Sequence, residues 1–365
     1  MLSGVRIVEF EGLGPAPFAA MMLADLGAEV TCIHRHQPSS VTGPASLLDR
    51  GKKSITLDLK SPADRAVALA LVTDSDALIE GLRPGVMERL GLGPEPCHAV
   101  NPALVYGRMT GWGQDGPRAQ SAGHDLNYLA TSGALWYASD PGQPPFTPPT
   151  MLGDIGGGAL YLVAGILAGL LAVRGGARGP VVDAAMVDGS AHMMALLMAI
   201  RQAGHINTER GQSLLDGPHW SRCYVCADGG HVSVQCLEPQ FYAAFLRLMG
   251  LDKSPAFADQ HDPTQWPRQT AQLAGLFAAE PVAHWAALFD GSDACVAPVL
   301  SPDAAAQDPH MQARGVWQAP GGVLQPSPAP RFDGARRPVA APPERGADSE
   351  AIRADLVAKG LLKEV

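Results

Sequence analysis

Disulfide architecture is missing from this chain. Six cysteines in 365 residues (Cys32, Cys97, Cys223, Cys226, Cys236, Cys295) are too few and too scattered to staple a protein of this length. Positive charge is also in short supply. With 27 Lys and Arg against 36 Asp and Glu, and a net charge of −9, the chain is excluded as a general binder of nucleic acid or anionic membranes, which leaves at most one local basic pocket. No internal repeat is visible. The start MLSGVRIVEF runs straight into a strand instead of a leader, so a cytoplasmic protein in a reducing compartment is expected. What the chain does have is core-forming material. Apolar residues make up 46%, and 365 residues exceed the ~250–300 at which single cores stop growing, so two domains and a small-molecule partner are expected.

One long uncharged run stands out, IGGGALYLVAGILAGLLAV from Ile155 to Val173, which reaches the length of a membrane span. Its glycine-rich start, the adjoining Asp154 and the lack of an aromatic belt or a basic loop asymmetry favour a buried core helix. Gly165 and Gly169 are spaced to let another helix approach closely.

Alternation of elements predicts an α/β fold. VRIVEF (5–10) reads as a buried strand, followed by a Gly/Pro loop, a helix over Phe18–Leu26 and a second strand Val30–Ile33, a doubly wound unit. The dinucleotide fingerprint is incomplete, because its third glycine is missing and the second strand ends in His34-Arg35-His36 instead of an acid. Arg35 there suits a phosphate. Further strands are expected at Ser54–Leu57, Ala77–Ile79 and Leu104–Gly107, with helices over Ala63–Val72 and Gly85–Leu90, giving a mostly parallel sheet covered on both faces. The loop from Met109 to Pro117 leaves the last of these strands, where open sheets place ligands.

A helical stretch over Asp183–Ala203 leads to a polar linker. Beyond it come a hairpin (222–237) and helices over Pro239–Met249, Gln269–Ala279 and Val282–Asp290, a smaller α+β domain. The expected division is a large domain over 1–190, a linker over 191–221, a small domain over 222–318, and an extended, Pro-rich return segment with a terminal helix (Glu350–Leu362) over 319–365 that rejoins the large domain.

Cys223-x2-Cys226-x4-His231-x4-Cys236 has the spacing of a zinc knuckle. A two-residue turn at Asp228-Gly229 would pair Cys226 with His231 on one face and leave Cys223 and Cys236 on the other with Val225, Val232 and Val234. Ligands on opposite faces cannot close a tetrahedron, so no metal is expected. The strand leads instead to Glu238, which could equally cap the helix that starts at Pro239.

Two short polar signals carry the chemistry. Gly123-His124-Asp125 and Gly153-Asp154 each sit in front of an apolar helical stretch, where an ionisable side chain and unpaired N–H groups meet a positive dipole end. Converging, they would combine an imidazole, a carboxyl and oxyanion donors, which suits proton transfer beside a carbonyl. Standing apart, they would be two ordinary helix caps.

Seven collinear blocks resemble the α-methylacyl-CoA racemases of the family III CoA-transferase superfamily: LIEGLRPGV (78–86), GRMTGWG (107–113), GHDLNY (123–128), GDIGGG (153–158), VDAAMVDG (182–189), EPQFY (238–242) and SDACVAPVL (292–300). The Gly-Asp element is superfamily-wide, and the histidine of Gly-His-Asp marks the racemase branch. The resemblance implies a Rossmann-like large domain, a smaller α+β domain and an interlocked homodimer. It implies that His124 and Asp154 exchange the α-proton of a 2-methylacyl-CoA through an enolate, that the Asp125 N–H serves as oxyanion donor, and that Glu238 of a second copy orients the histidine. CoA contacts are implied for Arg35, Arg83 and the run Arg108, Met109, Thr110, Gly111 and Trp112, with no metal or cofactor beyond the CoA of the substrate. Met193, Met194 and Met198 could line an adaptable acyl surface or simply fill core. Two other functions compete: a family III CoA-transferase with Asp154 as nucleophile, and a catalytically silent CoA-binding protein. The chain departs from the family pattern at His34, at Gln235-Cys236 and at Asp216–Trp220.

Overall fold

The computed structural model describes residues 1–38 and 46–363. In chain order the first half runs β1 (Arg6–Phe10), α1 (Pro15–Asp25), β2 (Glu29–His34), β3 (Lys53–Thr56), α2 (Pro62–Thr73), β4 (Ala77–Glu80), α3 (Val86–Arg89), α4 (Pro94–Val100), β5 (Val105–Thr110), α5 (Asp125–Ser132), a π-helical turn Met151–Ala159 that runs into α6 (Leu160–Arg174), β6 (Val181–Ala185) and α7 (Met186–Met193). The second half runs α8 (Ala195–Gln202), β7 (Ser221–Val225), β8 (His231–Gln235), α9 (Pro239–Leu248), α10 (Trp266–Phe277), α11 (Val282–Phe289), β9 (Val296–Pro298), α12 (Pro302–Ala305), α13 (Pro309–Arg314), β10 (Trp317–Gln318), β11 (Gln325–Pro326) and α14 (Ser349–Ala358). Two compact units result: Met1–Gly133 with Pro148–Met193 and Pro309–Val365, and Ala134–Thr147 with Met194–Asp308. The sequence-based boundaries differ from these at 134–147, which belong with the second unit, and at 309–318, which belong with the first.

The first unit is a six-stranded sheet in the order β3-β2-β1-β4-β5-β6, with every pairing parallel. The chain goes outward from β1 to β3 and then returns to the other side of β1, so the crevice at the strand ends opens between β1 and β4. Alternate residues build a core on each face. Val5, Ile7, Val30, Ile79 and Val105 pack with α1 and α6. Val8, Phe10, Ile33, Ile55 and Leu78 pack with α2 and with Ile352 and Leu356 of α14.

The five expected strands are present, and β6 is an addition. Its last three residues, Asp183–Ala185, read from sequence as the start of a helix, are held extended because the strand pairs with β5 from Tyr106↔Val181 to Thr110↔Ala185. Tertiary pairing overrides the weak strand preference of Asp and Ala. The helical stretch accordingly begins only at Met186.

By length and composition Met151–Arg174 could cross a membrane. Here Leu162, Val163, Ile166 and Leu170 are buried against the sheet. A Cβ on Gly165 would stand 2.4 Å from Val182 Cγ1, and one on Gly169 would stand 2.7 Å from Val105 Cγ1. Both glycines thus serve helix-on-sheet contact, which corrects the expected helix–helix approach.

In the second unit the hairpin is real but its register differs by one residue from the expected pairing. Val225, not Cys226, pairs with His231. The link is a three-residue loop, 227–229, closed by the Cys226 N–H on Gly230 O at 2.8 Å, with Gly229 left-handed at φ 77°. A one-residue slip exchanges the faces. Tyr224, Cys226, Val232, Val234 and Cys236 therefore point into the core, while Cys223, Val225 and His231 face outward. The four residues with zinc-knuckle spacing still divide between opposite faces.

Residues just before and at the start of α14 lie along β3. The Ser54 N–H donates to Asp348 Oδ2 at 2.8 Å and the Thr56 N–H to Ser349 Oγ at 3.2 Å, while the Asp348 N–H returns a bond to Ser54 O at 3.0 Å.

Candidate active site

His124 ends the loop after β5 and caps α5 in extended conformation (φ −138°, ψ 174°). Its N–H donates to Asn127 Oδ1 at 3.0 Å, and its carbonyl accepts the Asn127 N–H at 2.8 Å. This reciprocal bond fixes the helix start, so the exposed imidazole projects from the helix end.

Asp125, the next residue, is buried, and its Oδ1 accepts the N–H groups of both Gly153 and Asp154 at 2.8 Å. That carboxylate binds the start of one helix to the start of the other. Gly153 is needed for the approach, because a Cβ there would stand 2.6 Å from Asp125 Oδ1. The two first-turn N–H groups of the second helix, expected as oxyanion donors, are therefore already engaged. Among the described residues the Asp125 N–H remains unengaged, as one of the donors α5 cannot pair internally.

Asp154 lies inside the π-helical turn, not in front of the helix as expected, and is half-buried. Gly14, at the entrance of α1, stands beside it: a Cβ on Gly14 would be 3.7 Å from Asp154 Oδ2. Burial, reinforced by the negative charge of Asp125, pushes the Asp154 carboxyl up to about 6, while His124 pulls it the other way. Electrostatics thus register His124, Asp125 and Asp154 as one cluster.

A substitution separates the two jobs of Asp125. Asp125→Asn keeps an acceptor for the paired N–H groups but removes the charge, so the Asp154 titration is expected to move to lower pH, as followed by NMR of the carboxyl or by the acid limb of activity. Asp125→Ala instead strands the buried Gly153 N–H and the partly buried Asp154 N–H, at a cost of about 1–3 kcal/mol for the buried donor and less for the other in a denaturant titration.

The end of β5 braces this cluster. Thr110 Oγ1 accepts the Gly113 N–H at 3.0 Å, and Met109 is buried. Gly111 has no room for a side chain, since a Cβ would fall 2.0 Å from the Tyr128 ring. Trp112 meets Tyr128 edge-on at 4.8 Å, with the Arg118 guanidinium 5.1 Å from the Trp112 ring. Tyr128 donates to the Gly123 carbonyl, closing the loop back onto the residue before His124. Tyr128, Asn127 and Gly14 were not singled out in the sequence. The i+3 spacing of Asn127 from the cap was a usable sign for that residue.

The candidate CoA arginines differ in kind. Arg35 and Arg83 are exposed at the ends of β2 and β4, on either side of the crevice. Arg108 is buried in β5 and paired with Glu80 at 3.1 Å and Glu88 at 2.8 Å, so it pins β4 and α3 and has little charge left for a phosphate. Met193 packs over the π turn, its Cε and Sδ both 3.4 Å from where a Cβ on Gly156 would be. Glu238 lies in the second unit at the N-cap position of α9, with an exposed side chain that makes no capping hydrogen bond.

Comparison with known proteins supports the resemblance. The profile of CoA-transferase family III matches residues 2–349. The chain is 41% identical to α-methylacyl-CoA racemase of Mus musculus over 332 residues, covering 90% of this chain and 85% of the relative. It is 40% identical to the Homo sapiens protein of the same name (90% and 86% covered), and 30% identical to acetyl-CoA:oxalate CoA-transferase of Acetobacter aceti (91% and 89% covered). Among solved structures, a CaiB/BaiF family protein from Brucella suis superposes with a TM-score of 0.81 at 24% identity, covering 97% of this chain and 98% of its own, which establishes the fold.

Proposed function

Because this chain belongs to CoA-transferase family III, we propose that it is a cytoplasmic acyl-CoA enzyme that interconverts the (R) and (S) forms of 2-methylacyl-CoA thioesters. The observation that carries this reading is the meeting of the two helix starts, where the Asp125 carboxylate, next in sequence to His124, accepts the Gly153 and Asp154 N–H groups at 2.8 Å and so brings Asp154 to the end of α5 that carries the imidazole. A racemase needs two groups, one on each side of the α-carbon, that can each be base in one direction and acid in the other. A carboxyl at its ordinary value near 4 would be a poor proton donor at neutral pH, and burial beside Asp125 corrects that.

The thioester carbonyl acidifies the α-hydrogen. His124 removes it from one enantiomer while protonated Asp154 delivers a proton to the opposite face, and the roles reverse for the other enantiomer. The two groups share one mobile proton, so the pH profile reports the pair. The Asp125 N–H, at the positive end of α5, donates a hydrogen bond to the enolate oxygen. Arg35 and Arg83 take the CoA phosphates, and the braced segment Met109–Trp112 guides the pantetheine. In a homodimer, Glu238 of a second copy supports the imidazolium form of His124. The relatives named as racemases, at about 40% identity, support this assignment over transfer.

Incubation with a single enantiomer of a 2-methylacyl-CoA in deuterated water tests it. The expected result is α-deuterium with loss of optical purity. Movement of CoA to a second carboxylic acid, with no α-exchange, would instead identify Asp154 as a transferase nucleophile, and binding without either reaction would identify a silent CoA-binding protein.

A further inference from the structure

We propose that the first unit binds one zinc-class divalent ion between β1, β2 and the turn at Leu47–Asp49, with Cys32, His34 and Asp49 as ligands and Glu9 completing the set.

The register of the sheet brings these residues together. Glu9 on β1 and Cys32 on β2 are direct neighbours in the parallel ladder. Two residues on, Glu11 and His34 repeat the pattern on the same face, since side chains alternate along strands. Donor atoms of Cys32, His34 and Asp49 lie within 4.8 Å of one another, so about an ångström of closure gives the spacing of a tetrahedral N/S/O shell. A cavity of about 30 Å³, lined by these residues with Gly12 and Gly14, has room for one particle the size of a water.

The polar atoms facing this space are incompletely used. Glu9 and His34 are 0% and 4% exposed, yet Glu9 Oε1 and His34 Nδ1 have no hydrogen-bond partner among the described residues. The nearest acid to His34 Nδ1 is Glu11 Oε1, at 3.9 Å. Buried polar atoms without partners are rare and commonly mark a water or ion. Charges nearby are arranged to admit a cation. Lys52 sits 2.5 Å from Glu9 Oε2 and 3.2 Å from Pro17 O, and Arg345 grips Glu11, which leaves Asp49 facing Lys52 only at 3.7 Å. A divalent ion bound by the Cys32 thiolate and Asp49 neutralises both, and binding releases the thiol proton to solvent. Thiolate, imidazole and carboxylate together suit zinc and its congeners better than calcium or magnesium. Burial and the surrounding acids otherwise hold the Cys32 thiol protonated.

This inference is independent of the proposed reaction. The whole protein, stripped with a chelator and dialysed, is titrated with Co²⁺ and separately with Zn²⁺. One equivalent is expected to bind, with a thiolate-to-cobalt charge-transfer band and, for zinc, a raised Tm. Cys32→Ser, nearly isosteric, is expected to abolish the band and weaken binding by more than about tenfold, the least that loss of even an outer-shell partner costs. His34→Gln is expected to weaken it similarly while keeping the band, and circular dichroism checks that both variants are folded. No stoichiometric uptake by the unmodified protein would mean that the cavity holds water only and would overturn the proposal. A band that persists in Cys32→Ser would overturn it equally, by placing the metal on another cysteine.

Discussion

His124→Ala is expected to lower racemisation by at least the ~10²–10⁴-fold that a positioned acid–base group contributes. The signature is more telling than the size. With Asp154 intact, one face of the α-carbon still has a base, so the enantiomer that presents its hydrogen to Asp154 should exchange slowly with deuterium and keep its configuration. The other enantiomer should neither exchange nor invert. CoA affinity should hardly change, because the helix start at residue 124 is fixed by Asn127 and the His124 main chain, not by the imidazole. Chiral analysis beside mass spectrometry separates exchange from inversion. Racemisation at the normal rate from both enantiomers would remove His124 from the chemistry.

Gly189→Ala should produce the largest loss of stability. A Cβ on Gly189, in α7, would lie 1.9 Å from Gly157 O and 2.9 Å from Tyr161 Cδ2, so no rotamer change can relieve the overlap. The π-helical turn and α7 must part, at a cost of about 3 kcal/mol or more on the scale of overpacked cores. The turn they share carries Asp154, so activity should fall as well. A drop in the urea midpoint with unchanged slope measures the first effect. Gly275→Ala is the control: it lies inside α10 with nothing within 4 Å of a new Cβ, and should raise stability by roughly 0.5–1 kcal/mol.

Much of the sheet was legible because buried parallel strands leave near-continuous apolar runs such as ALI in β4, bounded by turn residues. β6 was not, because only Val181 and Val182 of VVDAA favour a strand, and Asp183–Ala185 continue into a helix without a turn residue between them. The hairpin slipped for a local reason: Asp-Gly announces a turn, but the left-handed Gly229 closes a loop one residue longer than the common type. At the site, the Gly-His-Asp and Gly-Asp signals were visible as residues, and their meeting through the Asp125 carboxylate was not, since no spacing reports a contact between two helix starts. The period-two acids Glu9 and Glu11, facing Cys32 and His34 across the ladder, were open to detection. Hydrophobic neighbours such as Val8 and Phe10 concealed them, because a strand with one polar stripe at its end still scores as buried.

The contacts of Asp348 and Ser349 with β3 have a consequence for solubility. The outermost strand of an open sheet offers unsatisfied amide groups on which a foreign chain can grow, and here side-chain oxygens and a returning amide already occupy those of Ser54 and Thr56. The tail of the chain is therefore a guard against intermolecular sheet extension, one that uses single polar residues where other folds require an additional strand.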